Sequence, residues 1–335
     1  MDIDRFQSFL DFVEPERKAT VLSAEPIPGG YSRDTVRAEV QWADGTRESF
    51  VLRGDPPEDM SVFRSDRDQE WALLQAIKDL DDFRIPRPRW YDATGEYLGS
   101  KCIVSEAIES TSMQKYLDGG PNFDQSREDF VNIIASAHAT PLDKIDPGIE
   151  RPASWRAHID DVIAIYDRIL ENQGEPDPIL AYTVKKVRMN IPPEVPLTLV
   201  HGDLQPGNFL LSEGVEPHII DWEFAKIGDP RLDLGYYLQI PMPPHLYYPD
   251  PEAFLAIYRE RTGLTEEQVN PEITEYFLLL GTIHLVEDIL RGFEDVAKGE
   301  HRGVMGPFLL PAAAHFHDLY LNIALKLPYA PEASQ

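Results

Sequence analysis

Leu199-Val200-His201-Gly202-Asp203-Leu204-Gln205-Pro206-Gly207-Asn208-Phe209-Leu210-Leu211 is a polar loop between two apolar runs. The runs are short enough to be strands. The Gly and Pro residues between them mark a loop of restricted backbone. That loop presents one imidazole, one carboxylate and one amide. Further on, the apolar run Ile219-Ile220 ends in Asp221. Two polar clusters therefore stand at the edges of short hydrophobic strands, and a hairpin-like return would bring them together.

Outward from this stretch, the chain changes character along its length. Residues 1–18 read as a short helix, with Phe6, Phe9, Leu10 and Val13 at helical spacing. Extended runs are expected at 19–27, 34–42 and 48–53. Asp44-Gly45 between the second and third is a strong hairpin signal. A helix is expected at 65–80, then two more extended runs near 89–93 and 101–107. Beyond Glu109 the pattern turns helical, at 130–139, 158–173 and 176–190. Short extended runs return at 197–200, 209–211 and 218–221. Helices dominate again from Pro230 to about Leu327, and 328–335 reads as a tail. The fold class expected is α+β: a small β-rich N-terminal lobe, 1–107, with one long helix, and a larger, mainly helical lobe, 108–335. The connector between them falls near 103–108.

Composition bounds the function. A chain of 335 residues with 42% apolar residues can bury sizeable cores. Its formal net charge of −27 repels phosphate backbones and anionic lipid, so neither nucleic acid nor membrane is an expected partner. The same charge would draw a cation toward the surface, although a solvated acidic exterior explains it as well. Cys102, the one cysteine, sits in an apolar run and reads as a small core residue. A single cysteine, an acidic N-terminus and no long apolar span together suggest a cytoplasmic protein.

The polar loop fits phosphoryl transfer. Mg²⁺ and the donor phosphates are hard groups that seek oxygen ligands, and a second carboxylate is needed to orient the attacking hydroxyl. Asp203 and Asn208 have the D-x-x-x-x-N spacing of a kinase catalytic loop. His201-Gly202-Asp203-Leu204-Gln205-Pro206-Gly207-Asn208, with Ile220-Asp221-Trp222-Glu223, Gly228-Asp229-Pro230 and Asp233-Leu234, resembles the aminoglycoside phosphotransferase and choline kinase family. The resemblance is close over 199–234 and loose over most of the chain. It implies a protein-kinase-like two-lobe fold and transfer of a γ-phosphoryl group from ATP or GTP, with Mg²⁺, to a small-molecule hydroxyl acceptor. By position, Asp203 resembles the catalytic base, Asn208 and Asp221 the metal ligands, and His201 a brace for the loop. Asp229 and Asp233 match motif positions of structural character.

The N-terminal lobe follows the family less closely. Gly29, Gly30 and Ser32 lie between the first two extended runs, where a phosphate-covering loop belongs. The third run carries Arg53 where the family has a lysine. Arginine keeps the cation but differs in shape and reach. Glu70, on the following helix, is the candidate partner of Arg53. Glu106 lies in the connector segment, where the family's backbone meets the nucleotide base. His138 reads as a satisfied core histidine. His284, Glu287, Asp288 and Arg291 fall at helical spacing, either lining an acceptor pocket or forming a solvated face with helix salt pairs. The Tyr236-Tyr237 and Tyr247-Tyr248 pairs share that ambiguity. The arginine motivates an alternative, a catalytically silent kinase-like nucleotide-binding protein, while retention of Asp203, Asn208 and Asp221 argues against it.

Overall fold

A computed structural model describes residues 2–27, 34–55, 66–117, 123–146, 148–173, 177–212, 215–239, 250–299 and 306–327. The glycine loop with Gly29, Gly30 and Ser32, and the Tyr247-Tyr248 pair, lie outside these residues. The chain divides into two compact units. The first is Met1–Thr111 with Phe209–Glu223, and the second is Ser112–Asn208 with Phe224–Gln335. The sequence reading draws its boundary after residue 107 and keeps 209–223 with the C-terminal part.

In the first unit, α1 (Ile3–Val13) is capped by Asp2, whose side chain accepts from the Arg5 N–H. It buries Phe6, Phe9 and Leu10, each contributing about 1.5–3 kcal/mol by removal from water. These join Trp42, Phe50, Leu52 and Cys102 in one apolar cluster, so the cysteine is a core residue as expected. The sheet comprises β1 (Thr20–Pro26), β2 (Asp34–Gln41), β3 (Arg47–Gly54), β4 (Pro88–Asp92) and β5 (Cys102–Glu106), in the order β1-β2-β3-β5-β4. The β2–β3 turn is the one the Asp-Gly signal marks. Asp44 accepts from the Thr46 N–H at 2.8 Å, and Gly45 takes φ +87°. Between β3 and β4 runs α2 (Arg67–Ile77), capped by Asp66.

β6 (Thr111–Ser112) carries the chain out of the first unit. The chain returns there as a hairpin of β8 (Phe209–Ser212) and β9 (Val215–Ile219), paired Phe209 to Ile219. The Ile219 N–H donates to the Arg84 carbonyl at 2.8 Å, and Trp222 stacks on Phe83 with centroids 5.4 Å apart. Asp221 is thereby tied to the first unit from both sides.

The second unit holds α3 (Met113–Leu117), α4 (Phe123–Ala139), α5 (Trp155–Asn172) and α6 (Pro178–Met189). It also holds β7 (Thr198–Val200), β10 (Lys226–Gly228), α7 (Arg231–Gln239), α8 (Pro251–Thr262), α9 (Pro271–Lys298) and α10 (Gly306–Lys326). The helix α4 starts ahead of the expected 130, because apolar periodicity begins only at Phe130 while the preceding polar residues are also helical. Its core gathers Trp155, Ile159, Tyr166, Val187, Val200, Phe277 and Ile283. Helices α7 and α9 approach closely at Gly235, where a Cβ would stand 2.6 Å from the Thr274 carbonyl oxygen. Among the described residues, no helix is long and apolar enough to cross a membrane.

Candidate active site

The polar loop hangs from β7 in the second unit. Gly202 has φ +85°, and a Cβ there would lie 2.5 Å from the Phe224 carbonyl oxygen, so both backbone and packing require glycine. The loop's backbone is fastened from below. Buried Asp233, near the start of α7, accepts from the His201 N–H at 2.7 Å and the Gly202 N–H at 2.8 Å. His138 Nε2 lies 3.0 Å from the same carboxylate, and its Nδ1 lies 2.8 Å from the Tyr258 hydroxyl. Burial pushes the Asp233 carboxyl up, but His138 and His201 outweigh it and hold it below the ordinary range. His138 is thus the satisfied core histidine expected, and it also supports the loop.

Asp203 is oriented by its own loop. The Gln205 amide donates to both carboxylate oxygens, at 3.1 and 3.0 Å. Asn208 Nδ2 donates at 2.8 Å to Asp203 Oδ2 and at 2.8 Å to the Asp203 carbonyl. His201 Nδ1 accepts from the Asp203 N–H at 3.2 Å, the bracing contact the sequence suggests. With its amino group committed twice, the buried Asn208 has only Oδ1 to offer a ligand. That is the hard oxygen donor a magnesium ion requires.

A buried ion pair lies nearby. Asp229 accepts from Arg231 Nη2 at 2.7 Å and from Trp155 Nε1 at 2.6 Å, all three buried. The guanidinium sits 4.3 Å above the Phe277 ring. The structural reading of Asp229 and Asp233 therefore agrees with their contacts. Tyr236 and Tyr237 are buried, with Tyr237 against Phe130 and Phe254, so they pack the core. Asp288 is buried and pairs with Arg291 at 3.0 Å.

In the first unit, a cavity of about 390 Å³ is lined by Thr35, Val51, Arg53, Glu70, Ser105, Glu106 and Asp221, among others. That volume suits a small ligand such as a nucleoside. Arg53 Nη1 lies 3.5 Å from Glu70, and Nη2 lies 2.5 Å from Asp221. Burial opposes the Arg53 charge, but Asp221, Glu70 and Glu223 hold the guanidinium above its usual range. Glu70 is itself buried and also meets Arg67 at 2.5 Å. Asp221 takes φ +69°, a left-handed conformation that aspartate tolerates better than most residues and that costs on the order of 1 kcal/mol. Glu106 faces the cavity, and its carboxylate pairs with Arg89 at 3.0 Å.

The site residues thus fall into two groups, Asp203 with Asn208 and Arg53 with Glu70 and Asp221, each brought together within its own unit. Among the described residues, no group of three or more His, Cys, Asp or Glu converges as a metal cage. A magnesium ion bound with phosphate oxygens and water needs only one or two protein carboxylates, so the lack of such a cage does not bear against magnesium. No motif or period marks His138 or Tyr258 as lying under the loop, since their contacts bridge distant parts of the chain.

Known proteins supply an independent comparison. The model of the phosphotransferase enzyme family matches residues 23–272. A 4-hydroxytryptamine kinase of Psilocybe cyanescens is 36% identical over 83 residues, 22% of this chain and 23% of that one. The chain spans less than a third of the length of the curated relatives it matches. A candidate aminoglycoside phosphotransferase from Ralstonia eutropha superposes with TM-score 0.67 at 16% identity, covering 98% of this chain and 99% of that one. A thermostable mutant of aminoglycoside phosphotransferase APH(4)-Ia, solved with ADP and hygromycin B, superposes with TM-score 0.61 at 16% identity, covering 95% and 97%. At such identities the likeness concerns the fold.

Proposed function

We propose that this chain, which belongs to the phosphotransferase enzyme family, moves the γ-phosphoryl group of ATP or GTP to a hydroxyl of a small molecule. The observation that carries this reading is the set around Asp203, whose carboxylate is held by Gln205 and by Asn208. A carboxylate so oriented can accept a hydroxyl proton as the oxygen attacks phosphorus. Arg53, with the loop containing Gly29, Gly30 and Ser32, is assigned to the donor phosphates. Glu70 orients Arg53, and the cavity beside Ser105 and Glu106 is assigned to the nucleoside. Asn208 and Asp221 are the proposed ligands of Mg²⁺, which when bound would neutralise charge on the donor phosphates. The buried Cys102 thiol, in no disulfide, is compatible with a reducing compartment, and we assign the protein to the cytoplasm.

The test is nucleotide consumption across a panel of hydroxyl acceptors, with Asp203→Asn as the blank. Loss of a general base costs roughly 10²–10⁴-fold in turnover, while nucleotide binding, followed by thermal shift, should persist. Unchanged turnover in Asp203→Asn would sink the assignment. Nucleotide binding without transfer to any acceptor would favour the alternative, a catalytically silent kinase-like nucleotide-binding protein.

A further inference from the structure

Beside the catalytic loop, β10 carries a cation that the proposed chemistry leaves unused. Lys226 stands opposite Val200 across the β10–β7 pair, and the chain runs from Val200 directly into His201-Gly202-Asp203. Gly202 in turn packs on the backbone of Phe224, two residues before Lys226. Strand alternation places Lys226 and Gly228 on one face. The His158 imidazole, from α5, packs on that face, with its Cε1 2.9 Å from where a Gly228 Cβ would stand. His284, from α9, lies beside Phe224 with ring centroids 5.7 Å apart. Three basic side chains from three elements thus surround the flank of the loop, all within the second unit.

His284 meets the backbone of Gly281, whereas the other two lack partners among the described residues. His158 is buried, and its Nε2 has no hydrogen-bond partner. Lys226 is partly buried, and among the described residues no carboxylate stands within ion-pair range of it. The acid it feels most, Asp233, is already engaged by His201, Gly202 and His138. Burial, reinforced by the Lys226 charge, pushes His158 down to about 4 and His284 down to about 3. Burial also lowers Lys226, with Asp233 acting against it. An ammonium held among neutral imidazoles with no counter-charge is costly to bury unless something anionic completes it.

We propose that Lys226, His284 and His158 form a subsite for an oxyanion of the phosphoryl acceptor, so that the acceptor is an anionic hydroxyl compound bearing a carboxylate or a phosphate ester. Lys226 supplies the charge, and the imidazoles fix its surroundings. The net charge of −27 would by itself favour a cation. That charge is spread over the whole chain, whereas this set is local, and recognition follows the local field. The proposal rests on the reading of Asp203 as the residue that receives the acceptor hydroxyl.

The experiment does not need turnover. Histidine ring-nitrogen NMR of the full chain is followed during titration with glycerate, glycerol 3-phosphate and glycerol, with His158→Gln and His284→Gln giving the assignments. A bound oxyanion favours protonated imidazole, so glycerate or glycerol 3-phosphate should shift both resonances saturably and glycerol should not. The first two arms separate a carboxylate from a phosphate. Lys226→Met should weaken the anion at least about tenfold, and Lys226→Arg should retain it. Lys226→Gln replaces Lys226→Met if the latter does not fold. Equal titration of Lys226→Met and the parent would overturn the subsite, as would anions that bind no better than glycerol. Full turnover in Asp203→Asn alongside Lys226-dependent anion binding would instead overturn the phosphotransfer reading alone.

Discussion

Asp233→Asn isolates what the buried carboxylate does for the catalytic loop. Its Oδ2 takes the His201 N–H and lies against His138 Nε2, while Oδ1 takes the Gly202 N–H. Asparagine keeps the shape but puts an NH₂ at one of those two positions. At Oδ1 it faces the Gly202 N–H, and at Oδ2 the His201 N–H. Either way one buried backbone donor is orphaned, at about 1–3 kcal/mol. The surviving bonds fall from charge-assisted to neutral strength, losing about 1 kcal/mol each. The total is about 3–5 kcal/mol, which at roughly 2–4 °C per kcal/mol for a unit of this size lowers Tm by about 10 °C. The effect depends on pH with a definite sign. The folded carboxyl sits below its ordinary value, despite burial, because of His138 and His201. Its contribution is present above the unfolded value of about 3.9 and disappears as pH falls through the folded one. Calorimetry of parent and variant should therefore show the Tm gap at pH 7 and its closure in strong acid. A gap under about 2 °C at pH 7, or one that persists unchanged in acid, would refute this account of the loop.

Gly202→Ala should cost at least about 2 kcal/mol by urea denaturation, since it combines a φ of +85° with a Cβ 2.5 Å from backbone oxygen. Stability equal to the parent would mean the loop can move off Phe224. His158, held down to about 4 by burial, favours folding in its neutral form. That contribution is complete above the unfolded value of about 6.5 and is lost as pH falls toward 4, an effect of about 3 kcal/mol. His158→Gln should flatten the Tm profile between pH 6.5 and 4, and an unchanged slope would count against this burial effect.

What the sequence made legible was local. Asp203 and Asn208 are five positions apart on one loop, so their spacing marked them as members of one polar cluster, while the contact that Nδ2 makes to Oδ2 at 2.8 Å emerged only from the structure. The Asp44-Gly45 turn and the apolar faces of α1 and α5 were readable for the same reason. What brings His138 to Asp233, or Lys226 to His158, is the packing of α4 and α5 on short strands. No period or motif encodes that. The strand β10 itself was missed, since Lys226-Ile227-Gly228 is too short to show alternation and ends in glycine.

Arg53 is the departure from the family pattern, and its contacts supply a physical reason for it. A lysine would bring one nitrogen to this point. The guanidinium brings two, and uses Nη1 toward Glu70 and Nη2 toward Asp221. Glu70 is shared, because Arg67, buried and paired also with Asp55 at 3.0 Å, holds its other oxygen. The result is an alternating chain Asp55–Arg67–Glu70–Arg53–Asp221, in which Arg67 and Glu70 are removed from water and therefore depend on their partners. A single ammonium could approach either acid closely but would span both less well, and at a position needing two-sided contact the exchange is not conservative. On this reasoning the arginine is matched to the buried Arg67–Glu70 pair behind it, and it still presents a cation at the edge of the cavity assigned to the nucleoside.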